Sequence, residues 1–241
     1  MRDTGYNDFS MNAPLVTMTH VCRSWRNVLL STTSFWKKVN FSVSKSQQAE
    51  GFLRRSGNQL LDIFHYLEDQ DRVEPFLSTT LHNVSRLRRL KIGSSFPYLD
   101  GLLKNFSTPA PELKHLDITN DGAVGADRDV LLPNVFGGRL QKLENFFLYR
   151  LSTDLRDFNF PSLTRFIFTT RANTSVRDLT SFFERCPSLE FVQIRLSYQP
   201  QLPIPPPRKR VCLAALKELR FDRATCTSGL LITSSSRCAQ R

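Results

Sequence analysis

Six segments of this chain share one spacing of apolar residues: a leucine, an apolar residue three positions on, and another two beyond that. They are Leu87, Leu90, Ile92; Leu113, Leu116, Ile118; Leu143, Phe146, Leu148; Leu163, Phe166, Phe168; Leu189, Val192, Ile194; and Leu216, Leu219, Phe221. The leading leucines follow one another at 26, 30, 20, 26 and 27 residues. Such a period constrains the fold more than any other feature, because each unit is one supersecondary element that buries its apolar face only by stacking on its neighbours. Residues two apart in a strand share a face, so the second and third apolar residues of each unit point one way and their neighbours the other. The rest of each unit, about 20 residues, must carry the chain back to begin a parallel strand, and a helix is the usual return. An α/β architecture of stacked parallel strands with outer helices is therefore expected. The run Leu60 to Phe64, which begins 27 residues before Leu87, reads as a degenerate first copy.

The return segments are legible. Val176, Leu179 and Phe183 fall at i, i+3 and i+7 of a helix over Val176 to Arg185, with Pro187 just beyond its end. Phe76, Leu77, Thr80, Leu81 and Val84 form a stripe over Pro75 to Leu87, and Pro75 is tolerated in a first turn. Leu99 to Phe106 predicts a shorter helix. The stretch 119–138, with Gly122, Gly125, Gly137, Gly138 and Pro133, reads as a long loop.

An apolar content of 40% supplies a core, yet the longest apolar runs are a few residues, far short of the ~20 needed to span a bilayer. With no secretory signal in the first residues either, no membrane is expected, and the compartment is read as cytoplasm or nucleus. Five cysteines without a CxxC pair and four histidines at no zinc spacing give no metal site. His20 and Cys22, two apart on one expected helix, face different directions. No nucleophile elbow, phosphate loop, dinucleotide fingerprint or paired-carboxylate pattern is present, so neither an enzyme nor a cofactor is expected.

The 33 basic and 22 acidic residues leave a net charge of +11. Arg208, Lys209 and Arg210, after a proline run, are read first as a solvated loop and second as a nuclear localisation signal. Binding of nucleic acid calls for basic residues interleaved with exposed aromatics across one face, an arrangement the sequence does not demonstrate.

The period lies in or near the range of leucine-rich repeats. The succession of helix, Cys-Pro-x-Leu turn and strand in Phe183 to Ile194 resembles the divergent repeats of F-box proteins. Upstream, Val21, Cys22, Trp25 and Arg26, followed by Phe35 and Trp36 leading into a strand, resemble the second half of an F-box. Helical spacing places Val21, Trp25, Val28 and Leu29 at i, i+4, i+7 and i+8, so these four are expected to form one buried stripe, capped by Trp36. Residues Met1 to Leu15 hold no counterpart of the Leu-Pro-x-Glu-Ile-Leu-like helix that opens the family's module, so half of it is expected to be missing. The chain thus divides into a partial F-box-like segment at 15–41, a leucine-rich-repeat solenoid at 56–221 and a Ser, Thr and Cys-rich tail at 222–241, expected to be poorly ordered.

The resemblance implies a non-catalytic substrate-recognition subunit of an SCF-type ubiquitin ligase, with Val21, Cys22, Trp25 and Trp36 in the segment that grips the Skp-type adaptor. A stand-alone protein-binding solenoid is the alternative, and a basic nucleic-acid-associated protein a further one. In leucine-rich geometry the side chains flanking the inward residues line a concave, partner-binding surface. Here they are Arg89, Lys91, His115, Asp117, Asn145, Phe147, Tyr149, Arg165, Ile167, Phe191, Gln193, Arg195, Glu218 and Arg220. Phe147, Tyr149, Ile167 and Phe191 at the centre are expected to be exposed within a polar rim, the composition of a protein-binding hot spot.

Overall fold

The second and third residues of every apolar triplet fall on strands of one sheet, and the leading leucine, Leu87 excepted, lies in the turn just before its strand. The computed structural model describes residues 12–42, 46–67, 73–94, 99–121, 130–132, 135–138, 140–170, 176–196, 211–222 and 232–234. Among these, the strands in chain order are β1 (Lys38–Asn40), β2 (Leu61–Leu67), β3 (Leu87–Ser94), β4 (His115–Asn120), β5 (Val130–Leu132), β6 (Asn145–Tyr149), β7 (Leu151–Thr153), β8 (Arg165–Thr170), β9 (Phe191–Leu196), β10 (Val211–Leu213), β11 (Glu218–Asp222) and β12 (Ile232–Ser234). The helices are α1 (Asn12–Met18), α2 (Arg23–Ser31), α3 (Ser46–Arg55), α4 (Val73–His82), α5 (Leu99–Leu103) and α6 (Val176–Glu184). Eight strands form a parallel sheet in the order β1-β2-β3-β4-β6-β8-β9-β11, each laid beside the one before it. β1 lies within 15–41 and the others within or next to 56–221, so both segments share this sheet.

The repeat sets the register. The second apolar residues pair in a row, Leu90 with Leu116, then Phe146, Phe166, Val192 and Leu219. The third do the same, Ile92 with Ile118, then Leu148, Phe168, Ile194 and Phe221. Val39 and Ile63 extend the first row, and His65 continues the second. A slip of one residue would turn both rows to the opposite face, so burial of the rows specifies the pairing. They are buried from Val39 to Ile194, and only Leu219 and Phe221, on the last strand, are partly exposed. Each fully buried side chain of this kind contributes about 1.5–3 kcal/mol.

Phenylalanines fill the space between this face and the helices. The Phe76 ring of α4 lies 4.4 Å from the His65 ring and meets Phe41 edge-on at 5.4 Å. Phe182 of α6 packs 4.8 Å from Phe166, and Phe158 and Phe160 meet Phe146 edge-on. Such tilted and edge-to-face pairs suit the ring quadrupole.

A turn of one form leads into each of six strands. The amides of Leu113, Leu143, Leu163, Leu189 and Leu216 donate to the carbonyls of Ala110, Leu140, Phe160, Cys186 and Leu213 at 3.1–3.3 Å. Leu87 donates to Val84 in the same way. The accepting residue is apolar and buried every time. Cys186 is thus one case of a packing position, and burial pushes its thiol up to about 12, away from reactivity. One residue after the leucine, the amides of Lys114, Glu144, Thr164, Glu190 and Lys217 each donate to the preceding unit at 2.8–2.9 Å.

Several segments differ from the sequence-based expectation. The helix expected over Pro75 to Leu87 ends at His82, and a short 3-10 turn, Val84–Arg86, completes the span. The expected loop 119–138 contains β5, paired in parallel with β7, and a turn at Val135–Gly138 in which Phe136 takes a φ of 53°. The single helix expected across Val16 to Leu30 is two, α1 and α2, because Cys22 is extended, with φ −155° and ψ 169°. The Thr19 hydroxyl donates to Val16 O at 2.6 Å and Arg26 Nε donates to Thr19 O at 2.8 Å, which fixes the break. Within the tail expected to be poorly ordered, β12 pairs in parallel with β10. Cys212 of β10 is disulfide-bonded. The basic run 208–210, its proline run and most of the tail also lie outside the described residues. Among the described residues no helix is long and apolar enough to cross a membrane.

Candidate functional site

At the N-terminal end, α2 turns one large residue inward. Leu29 is buried, and its carbonyl accepts a hydrogen bond from Trp36 Nε1 at 2.8 Å. Trp36 is fully buried, its ring stacked 5.4 Å from Phe52 of α3, with the Arg55 guanidinium 5.0 Å from it. Trp36 therefore caps this part of the core and presents no surface to a partner.

The expected buried stripe does not form. Val21, Trp25 and Val28 are 67%, 50% and 58% exposed. Counting helical periods from Val21 presupposes one continuous helix, whereas Val21 lies in the turn before α2. Leu30 and Phe35 are exposed as well, and among the described residues these five are the exposed large hydrophobics. Cys22 beside them is also exposed.

The second set of residues lies on the sheet. Strand alternation and register bring all the side chains singled out from the repeat onto the face opposite the buried rows. Arg89, His115, Asn145, Arg165, Phe191 and Glu218 form one row. Lys91, Asp117, Phe147, Ile167, Gln193 and Arg220 form the next, and Tyr149 and Arg195 belong to a third. Phe147, Tyr149, Ile167 and Phe191 are half-buried rather than exposed. Guanidinium groups cover the three rings. Arg165 Cζ lies 4.6 Å from the centroid of Phe191 and 5.7 Å from that of Phe147, Arg220 Cζ 5.4 Å from Phe191, and Arg150 Cζ 5.4 Å from Tyr149. At exposed positions each such contact is worth about 0.5–1 kcal/mol.

Charge is arranged differently along this face. Toward β2, Arg88 grips the buried Asp62 carboxylate in bidentate fashion, Nε to Oδ1 at 2.9 Å and Nη2 to Oδ2 at 2.5 Å. Lys91 pairs with Asp117 at 3.0 Å, and the Thr119 hydroxyl donates to Asp117 at 3.2 Å. Burial pushes the Asp117 carboxyl above its ordinary value, with Lys91 opposing. Burial, aided by Arg89, holds His115 below its ordinary value. Toward β11, Arg220 pairs with Glu218, while Arg165 makes no ion pair or side-chain hydrogen bond among the described residues. β2 adds Asp62, Phe64 and Tyr66 to the face, in register with Arg89, Lys91 and Gly93. The sequence reading missed these three, although their alternation with Ile63 and His65 carries the signal.

Among the described residues no group of three or more His, Cys, Asp or Glu is placed to hold a metal ion. No family model matches the chain, and no curated protein is significantly similar to it.

Proposed function

We propose that the chain is a leucine-rich-repeat solenoid acting as the non-catalytic, target-recruiting subunit of an SCF-type ubiquitin ligase, in the cytoplasm or nucleus. On this reading α1 and α2 belong to the adaptor-binding part and the open sheet face holds the target protein. The observation that carries it is the placement of exposed apolar side chains: Val21, Trp25, Val28, Leu30 and Phe35 crowd one short segment, and no other large hydrophobic among the described residues is as exposed. Exposed aliphatic and aromatic side chains gathered in one segment, Trp25 and Val28 one helical turn apart, are anchors of the type that protein interfaces bury. The F-box resemblance of the same segment supports a Skp-type adaptor as the covering partner. Support for stacked repeats comes from the sequential strand order and the two in-register apolar rows.

The test is co-expression with a Skp-type adaptor and affinity purification. The intact chain is expected to retain the adaptor, and Trp25→Ala or Val28→Asp to weaken retention by at least about tenfold, as loss of a hot-spot anchor does. Circular dichroism should show both variants folded, because neither side chain is buried. An intact, folded chain that retains no adaptor would refute ligase docking and leave a stand-alone protein-binding solenoid.

A further inference from the structure

The aromatic and arginine cluster on β8, β9 and β11 has a chemistry that narrows what the open face can hold. Arg165 of β8, Phe191 of β9 and Glu218 of β11 lie side by side in one row, with Phe147, Ile167 and Arg220 in the adjacent row. Arg165 is exposed, yet its guanidinium is held over two rings, Phe191 at 4.6 Å and Phe147 at 5.7 Å. None of its side-chain N–H groups is bonded among the described residues. A guanidinium fixed by rings and unbonded at its edge is preorganised for a carboxylate, which it accepts through two parallel hydrogen bonds. Arg220 leans on the same Phe191 ring at 5.4 Å but is engaged by Glu218, an exposed pair that an incoming carboxylate can exchange with.

We infer that this cluster is an acidic-peptide site: Arg165 clamps one carboxylate of an extended acidic segment of the target, Arg220 takes a second in exchange for Glu218, and half-buried Ile167 forms the apolar floor beside them. The inference rests on reading the open face as the target-binding surface, and it deepens that reading by stating the target's chemistry. Spacing agrees. Arg165 Cζ and Arg220 Cζ lie 4.6 Å and 5.4 Å from the same Phe191 centroid, so the two guanidinium groups are no more than about 10 Å apart, and alternate side chains of an extended peptide, which share a face, are roughly 7 Å apart. Single-stranded RNA is the competing occupant of an Arg and aromatic surface, but it needs open ring faces for bases to stack on, and here Arg165 covers both Phe147 and Phe191.

Fluorescence anisotropy with the full chain tests this, using three labelled probes: a peptide of alternating Glu and Ala, its Gln and Ala counterpart, and oligouridylate. The Glu peptide is expected to bind, the Gln peptide not. Arg165→Gln should weaken binding by roughly tenfold, and Arg165→Lys nearly as much, since an ammonium keeps the charge but loses the fork. Glu218→Gln should tighten binding several-fold by freeing Arg220, a gain that general destabilisation cannot produce. Equal binding of the Gln peptide, no response to Arg165→Gln, or tighter binding of oligouridylate overturns the inference. Adaptor retention measured on the same preparations separates the two claims. A chain that holds adaptor but no Glu peptide overturns the acidic site alone; one that holds the Glu peptide but no adaptor keeps the site and refutes ligase docking.

Discussion

Gly93 shows how one missing methyl shapes the open face. A Cβ at this position would stand 2.5 Å from Tyr66 Cδ2 and 2.9 Å from Cε2, distances that side chains do not tolerate. Tyr66 is its register partner on β2, and the ring lies across Gly93 so that its hydroxyl donates to Asp121, 3.2 Å away just past the end of β4. Gly93→Ala is therefore expected to push the ring aside and destabilise the chain by about 1–3 kcal/mol, read as a lower urea midpoint. In a Tyr66→Ala background the same substitution should cost far less, and equal costs in the two backgrounds would dismiss this account. None of it is legible in the sequence, where Gly93 merely follows the apolar triplet and its neighbour lies 27 residues upstream. His65 is a related case. It stands where other units have an aliphatic or aromatic residue, and its ring packs against that of Phe76 in the buried row.

Among the elements, legibility followed the number of copies. β3, β4, β6, β8, β9 and β11 carry the second and third residues of the apolar triplet and are readable because each copy reinforces the others. β1 has a single inward residue, Val39, and no period to read, so only the F-box resemblance, with its strand after Phe35 and Trp36, points to it. α3 does carry Ala49, Phe52 and Leu53 at i, i+3 and i+4, all buried, but Gly51 inside it and its polar flanks masked the pattern. The turn before a strand is legible at the Cys-Pro-x-Leu of Cys186 to Leu189 but not as a recurring element, because its buried position is filled by Val84, Ala110, Leu140, Phe160, Cys186 and Leu213, six residues of differing size whose common feature is burial. α2 departs for another reason: helical spacing puts Val21, Trp25, Val28 and Leu29 in one buried stripe, whereas of these only Leu29 is buried. Adjacent residues of this helix give a direct check. Leu29→Ala, at a 4% exposed site, should destabilise by about 2–5 kcal/mol, whereas Val28→Ser, at a 58% exposed site, should stay within about 0.5 kcal/mol of the parent in urea unfolding. A large loss at Val28 would mean that its side chain already has a cover within the chain, and the exposed apolar face would no longer point to a partner.

For the whole molecule, the decisive fact is that strands of the large sheet pair only with the strand placed before or after them in the chain order of that sheet. Stability in such an arrangement approximates a sum of nearest-neighbour interfaces, so a defect in one unit is felt by the units touching it and fades beyond them. The rows of buried residues make those interfaces, and Phe166 lies at the centre of the densest one, with ring contacts to Phe146, Phe168, Phe182 and Phe183. Phe166→Ala is expected to cost about 3–5 kcal/mol locally. Hydrogen exchange should then report faster opening of β6, β8, β9 and α6, while β1, β2 and β3, three or more places from β8 in the strand order, retain most of their protection. The acidic-peptide cluster sits on the strands that loosen and the exposed apolar residues of α2 on the part that does not. The same substitution should therefore weaken Glu-peptide binding more than adaptor retention. Uniform loss of protection across all eight strands would instead describe one cooperative block, and the two surfaces would then fail together.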